Sequence, residues 1–215
     1  MTDQHIKQTV LDELGWEPSV NAAHIGVTAR EGIVTLTGHV GSYAEKWAAE
    51  QGAARVSGVK ALVDNIEVQY SAPAEDGDEG IAKRALQALG LDFILPKDKV
   101  KVKVDKGWVT LSGTLDWYYQ KHSAESDVRK LHGVMGLTNM IALKPGVQAS
   151  DVRAKIKGAL ERNAQIESGD ILVSTEGSKV TLKGKVNTYH ERALAERTAW
   201  SAPGVTAVDD QLVFA

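Results

Sequence analysis

The chain has 215 residues, 43% hydrophobic and 25% charged, with 25 Lys and Arg against 28 Asp and Glu for a net charge of −3. That composition is globular, and near-neutral charge argues against a general nucleic-acid binder. The absence of cysteine excludes disulfides, thiolate catalysis and Cys-type zinc sites. No apolar run reaches the length of a bilayer span, and Met1 to His5 does not read as a signal peptide, so a cytoplasmic protein is expected.

The elements come in a fixed order. Ile6, Val10 and Leu14, four apart, put one apolar face on an opening helix. Ile25, Val27 and Ala29 alternate with polar residues as a half-buried strand does. Arg30-Glu-Gly32 closes a hairpin, since glycine tolerates positive φ. The next strand buries Val34 and Leu36 and turns Thr35 and Thr37 outward. A second helix starts at the capping pair Ser42 and Glu45, carries Ala49 where it lies close on the sheet, and is stopped by Gly58. A last strand carries Leu62, Val63 and Ile66.

The same order then recurs twice. Gly32-Ile-Val-Thr-Leu-Thr-Gly38 reappears as Gly107-Trp-Val-Thr-Leu-Ser-Gly113 and as Ser178-Lys-Val-Thr-Leu-Lys-Gly184, at offsets of 75 and 71 residues. The offsets also relate Gly58 to Gly133 and Gly204, Tyr43 to Tyr118 and Tyr189, and Ala49 to Ala124 and Ala195. The first helix recurs with Ile81, Ala85 and Leu89, and with Val152, Ile156 and Leu160. The expected fold is α+β: three tandem α-β-β-α-β domains at 1–72, 78–146 and 148–215, each with two helices on one face of a three-stranded mixed sheet. Ser71 to Gly80, rich in Asp and Glu, reads as a solvated tether. Lys144 to Ser150 is a shorter junction, so the second and third units are expected to sit closer than the first and second.

These residues resemble the BON domain, the bacterial osmotically inducible and nodulation module. The resemblance rests on Val34-Thr-Leu-Thr-Gly38 with Val40, Gly58-Val59 and Asp64-Asn-Ile66, on Val109-Thr-Leu-Ser-Gly113, Gly133-Val134 and Asn139, and on Val180-Thr-Leu-Lys-Gly184, Gly204-Val205 and Asp209-Asp210. It implies two helices on a three-stranded sheet and a non-enzymatic role in osmotic or envelope stress. Within the family some members bind anionic phospholipid and one type binds potassium. No catalytic residues carry over.

Chemistry-bearing patterns are sparse. His5, His24, His39, His122, His132 and His190 fall in no metal-ligand spacing, and no nucleophile-elbow, P-loop or dinucleotide motif is present, so neither metal nor cofactor is expected. Tyr43, Tyr118 and Tyr189 are expected to pack in the cores with their hydroxyls at the edge. Charge is uneven: residues 1–72 carry −4, 73–80 carry −4, 81–146 carry +5 and 147–215 carry none. The cationic middle unit also holds Trp108, Trp117, Tyr118 and Tyr119. With Val100, Val102 and Val104 facing the helices, Lys99, Lys101 and Lys103 project from the open sheet face about 7 Å apart, on the side of Trp108. Lys99, Lys101, Lys103, Trp108, Trp117 and Tyr119 are therefore the candidate ligand- or lipid-binding residues. An anionic phospholipid surface is the leading expected partner, with a monovalent cation or a protein partner as alternatives, and no nucleic acid.

Overall fold

A computed structural model describes residues 2–70, 76–145, 152–163 and 171–215. The first half of the acidic tether and nearly all of the second junction lie outside the described residues.

The first unit contains α1 (Asp3–Trp16), β1 (Ile25–Arg30), β2 (Ile33–Val40), α2 (Tyr43–Arg55) and β3 (Ala61–Val68). The second contains α3 (Gly77–Leu91), β4 (Val100–Asp105), β5 (Trp108–Leu115), α4 (Tyr118–Arg129) and β6 (Gly136–Leu143). The third contains α5 (Val152–Glu161), β7 (Ile171–Glu176), β8 (Lys179–Val186), α6 (Tyr189–Trp200) and β9 (Ala207–Phe214).

Each sheet has its second strand in the centre, antiparallel to the first and parallel to the third. The motif glycine holds the same register on the first strand in every unit: Gly38 with Ile25, Gly113 with Val100, Gly184 with Ile171. Gly38 and Gly113 have φ of 115° and 136°, and a Cβ there would run into the carbonyls of His24 and Lys99. That close approach explains the repeated glycine better than a turn would.

Three separate cores follow from the repeated apolar positions. Val34 and Leu36, Val109 and Leu111, and Val180 and Leu182 are buried, as are Ala49, Ala124 and Ala195 on the sheet-facing side of the second helices. Ser42 Oγ accepts from the Glu45 amide and Thr188 Oγ1 from the Glu191 amide, as the capping pattern requires. Two local expectations change. Val63 belongs to the open sheet face, because its register partner is the outward Thr35. The second helices end at Arg55, Arg129 and Trp200, and Gly58, Gly133 and Gly204 occupy the following turns at φ of 88°, 92° and 85°.

The three tyrosines sit at the junctions between units: only Tyr43 packs against its own core, and Tyr189 is exposed. Tyr43 packs against both the first and the second core. Tyr118 stacks on Trp200 of the third unit, with centroids 5.6 Å apart. The backbone amide of Tyr189 donates to Val59 O of the first unit, 3.1 Å, and α6 packs on α2. One repeated position thus reaches from unit one to two, two to three and three to one, a head-to-tail contact that closes on itself. Nor are the second and third units held more closely than the first and second. Tyr70 Oη donates to Val134 O at 2.8 Å and its ring meets His132 edge-on, while the Arg129 guanidinium lies 3.9 Å from the centre of the Trp47 ring. Linker length sets how far units can separate; side-chain complementarity sets whether they do.

Candidate functional site

The open face of the second sheet carries the lysine row. Lys99, Lys101 and Lys103 are exposed on or just before β4, and Val100, Val102 and Val104 pack toward the helices. Register places Lys101 opposite Ser112, Lys103 opposite Thr110 and Asp105 opposite Trp108. Lysines and indole share a face, as their parity requires. The indole, however, leans toward β6. It covers Gly136, where a Cβ would collide with the ring, and its Nε1–H donates to Thr138 Oγ1 at 2.9 Å. Half of Trp108 remains exposed, beside Asp105 rather than among the lysines.

Trp117 and Tyr119 lie past the other end of β5, whose eight residues span about 25 Å. The six predicted residues are therefore two groups. Trp117 is the N-cap of α4, and its ring lies near-parallel to that of Tyr119 with centroids 6.4 Å apart. Both are exposed.

A neighbouring loop, absent from the sequence reading, completes this end. From the last residue of α3 the chain runs Leu91-Asp-Phe-Ile-Leu-Pro96. Leu91, Phe93 and Ile94 are exposed, Phe93 fully so, while Leu95 is buried as an anchor. Asp92 holds the loop: Oδ1 accepts from the Ile94 amide at 2.8 Å and Oδ2 from Ser123 Oγ at 2.6 Å. Gln120 Nε2 donates to Ile94 O at 3.1 Å, and Gln120 Oε1 accepts from the amides of Asp116 and Trp117. Gln120 thus joins the loop to the turn bearing Trp117. The result is an apolar tip displayed by polar stitches. Beside it is a cleft of about 250 Å³ lined by Leu86, Leu89, Leu95, Pro96 and Val100, with Lys97 at its edge.

Charge within the stitches is asymmetric. Burial opposes ionisation of Asp92, but donors from Ser123 and Ile94 hold its carboxyl below the usual range. Burial, the Asp92 charge and the hydrogen bond with Asp92 push Asp127 up. The sequence did signal the tip: an apolar run between helix and strand, where the first unit has Trp16-Glu-Pro-Ser-Val20. A contiguous surface can be recognised only once α4 and this loop are placed together.

Among the described residues, no three His, Asp or Glu side chains converge as a metal site, and no helix is long and apolar enough to cross a membrane.

Comparison with known proteins places the whole chain. The BON-domain family model matches residues 2–70, 77–145 and 148–215. Osmotically-inducible protein Y of Escherichia coli is 31% identical over 148 residues, covering 67% of this chain and 74% of that protein. Among solved structures, CdsD, a structural protein of the type III secretion system of Chlamydia trachomatis, is 18% identical over 97% of this chain and 91% of that one, with a TM-score of 0.27. Its C-terminal domain is 17% identical, covers both chains fully and gives a TM-score of 0.26.

Proposed function

The chain belongs to the BON-domain family, and on that premise we propose that it is a non-enzymatic protein of the osmotic-stress response whose second unit docks on an anionic phospholipid surface. The observation that carries this reading is the rigid tip of Phe93, Ile94, Trp117 and Tyr119, exposed at one end of the lysine row.

Indole and phenol rings offer an apolar body and a polar edge, which suits the boundary between headgroups and acyl chains. Phe93 and Ile94 supply the apolar area that enters furthest, and Asp92 and Gln120 order the loop beforehand, so little entropy is lost on docking. Lys97, Lys99 and Lys101 follow the tip in the chain, and each cation near an anionic surface adds about 1 kcal/mol. Trp108, at the far end of β5, belongs to the sheet face and stands outside this docking surface.

Flotation with phosphatidylglycerol vesicles and with phosphatidylcholine vesicles tests the reading. Binding is expected to the first only, to weaken with salt, and to be lost in Phe93→Ser/Ile94→Ser. Equal absence of binding to both vesicle types would overturn it.

A further inference from the structure

The first unit carries a feature that the lipid reading does not use. His24 ends the short 3-10 turn before β1, and His39 lies near the end of β2. Because Ile25 pairs with Gly38, the antiparallel register sets His24 opposite His39. Their rings stack 4.7 Å apart at 20°, and both residues are exposed on the open sheet face. His39 has Glu67 as its register neighbour on β3, which places a carboxylate on the same face. The second unit has Lys99 and Thr114 at the paired positions, and the third has Asp170 and Lys185. The pair is a property of the first unit and not of the fold.

We propose that His24 and His39 form a two-imidazole chelate for a borderline divalent transition metal, with Cu2+ bound most tightly. Imidazole nitrogen is a ligand of choice for copper, nickel and zinc, and copper stands highest in the affinity series. Two metal–nitrogen bonds of about 2 Å to adjacent positions need the ligating nitrogens about 3 Å apart. Side-chain rotation of two exposed residues brings stacked rings to that spacing without moving the strands. The sheet prepays the cost of bringing the ligands together, so the second nitrogen binds at high effective concentration. Glu67 shares the face, but among the described residues no three His, Asp or Glu side chains are close enough together to hold a metal, so water fills the remaining positions, and the site exchanges its metal rather than burying it.

The test is titration of the full chain with Cu2+ in a non-coordinating buffer, followed by calorimetry and by electron paramagnetic resonance. Wild type is expected to bind one Cu2+ with a spectrum showing two nitrogen ligands. His24→Gln and His39→Gln should each weaken this binding about tenfold or more and leave one nitrogen. His5→Gln, on the exposed face of α1, should change nothing. Unaltered thermal unfolding of the variants without metal would show that the loss is of ligands and not of fold. Retention of wild-type affinity by His24→Gln/His39→Gln would overturn the proposal, as would a wild-type spectrum with a single nitrogen.

Discussion

The first and second units have one backbone plan and different surfaces. Where the first has Pro18 and Ser19 after its opening helix, the second has Phe93 and Ile94; where the first caps its second helix with Ser42, the second uses Trp117. The stitching is nevertheless conserved in kind. Glu17 Oε1 accepts from the amide and hydroxyl of Ser19, as Asp92 Oδ1 accepts from the Ile94 amide. Val20 and Leu95 are the equivalent buried anchors. A loop whose shape is fixed by one carboxylate and one apolar anchor is free to vary at its tip. The inward positions make the fold, and the tip makes one unit different from another.

The sharpest way to break the equivalence is through the core. Leu111→Asp places a charge among Ile81, Val109 and Ile141 and should destabilise the second unit by more than about 3 kcal/mol. Thr110→Asp, on the opposite face of the same strand, should cost much less. Denaturant unfolding with hydrogen exchange resolved by unit checks this. Similar losses for both would mean that the inward and outward faces are misassigned.

Exchanging the tips gives the next largest effect. Phe93→Pro/Ile94→Ser gives the second unit the first unit's tip and should remove vesicle binding with little change in stability, since both residues are exposed. Pro18→Phe/Ser19→Ile, made in that background, should restore part of it. Without rescue, the neighbouring Trp117 and Tyr119 are required as well. Smaller again is the lysine row: Lys99→Glu/Lys101→Glu/Lys103→Glu should weaken binding to phosphatidylglycerol vesicles by about 3 kcal/mol or more at low salt, and less at high salt. Binding equal to wild type would leave those lysines as a solvated strand face.

The fold was legible because its signals are local and repeated. Period-two valines in β4, period-four apolar residues in α1 and a glycine whose missing Cβ faces a carbonyl each restrict one element, and each recurs in register. The docking of units was not legible. A tyrosine at the start of a helix reads equally as a core or an interface residue, and only the placement of the neighbouring unit tells these apart: Tyr43 packs on the second core, Tyr118 stacks on Trp200, and the Tyr189 amide reaches Val59 O. The candidate site was half legible. Parity put Trp108 and the lysines on one face, but which way the indole leans depends on Gly136 of a neighbouring strand. Trp117 was found by composition, and its apolar neighbours Phe93 and Ile94 lie 24 and 23 positions earlier in the chain.

The smallest expected effect lies at one pair of equivalent positions, Asp64 and Asn139. In the second unit Asn139 Nδ2 donates to Glu125 Oε2 at 3.2 Å and to Lys121 O at 3.0 Å, and its Oδ1 accepts from the Ile141 amide. In the first unit Asp64 Oδ1 accepts from the Ile66 amide in the same way, and Lys46 lies 2.7 Å from Oδ2. Its neighbour on α2 is Glu50, so two carboxyls meet where the second unit has a carboxyl and an amide. Burial, with the hydrogen bond and charge of Asp64, pushes Glu50 up to about 7. An acid raised on folding stabilises the protein below its ordinary value, and that contribution fades as pH rises through about 7. Asp64 is held low by its donors from Glu50 and Lys46 against the effect of burial, so its own contribution is lost only at more acid pH. Asp64→Asn gives Glu50 an amide donor and removes the neighbouring carboxylate, which lowers its pKa toward the ordinary value. The melting temperature of wild type should therefore fall from pH 5 to pH 8 relative to Asp64→Asn, with the loss of the Lys46 ion pair lowering the variant by a nearly constant amount. Carboxyl carbon shifts of Glu50 should titrate near neutrality in wild type and at lower pH in the variant, where burial still raises it but the Asp64 carboxylate does not. Parallel melting curves across that pH range would show that the two carboxyls do not share a proton.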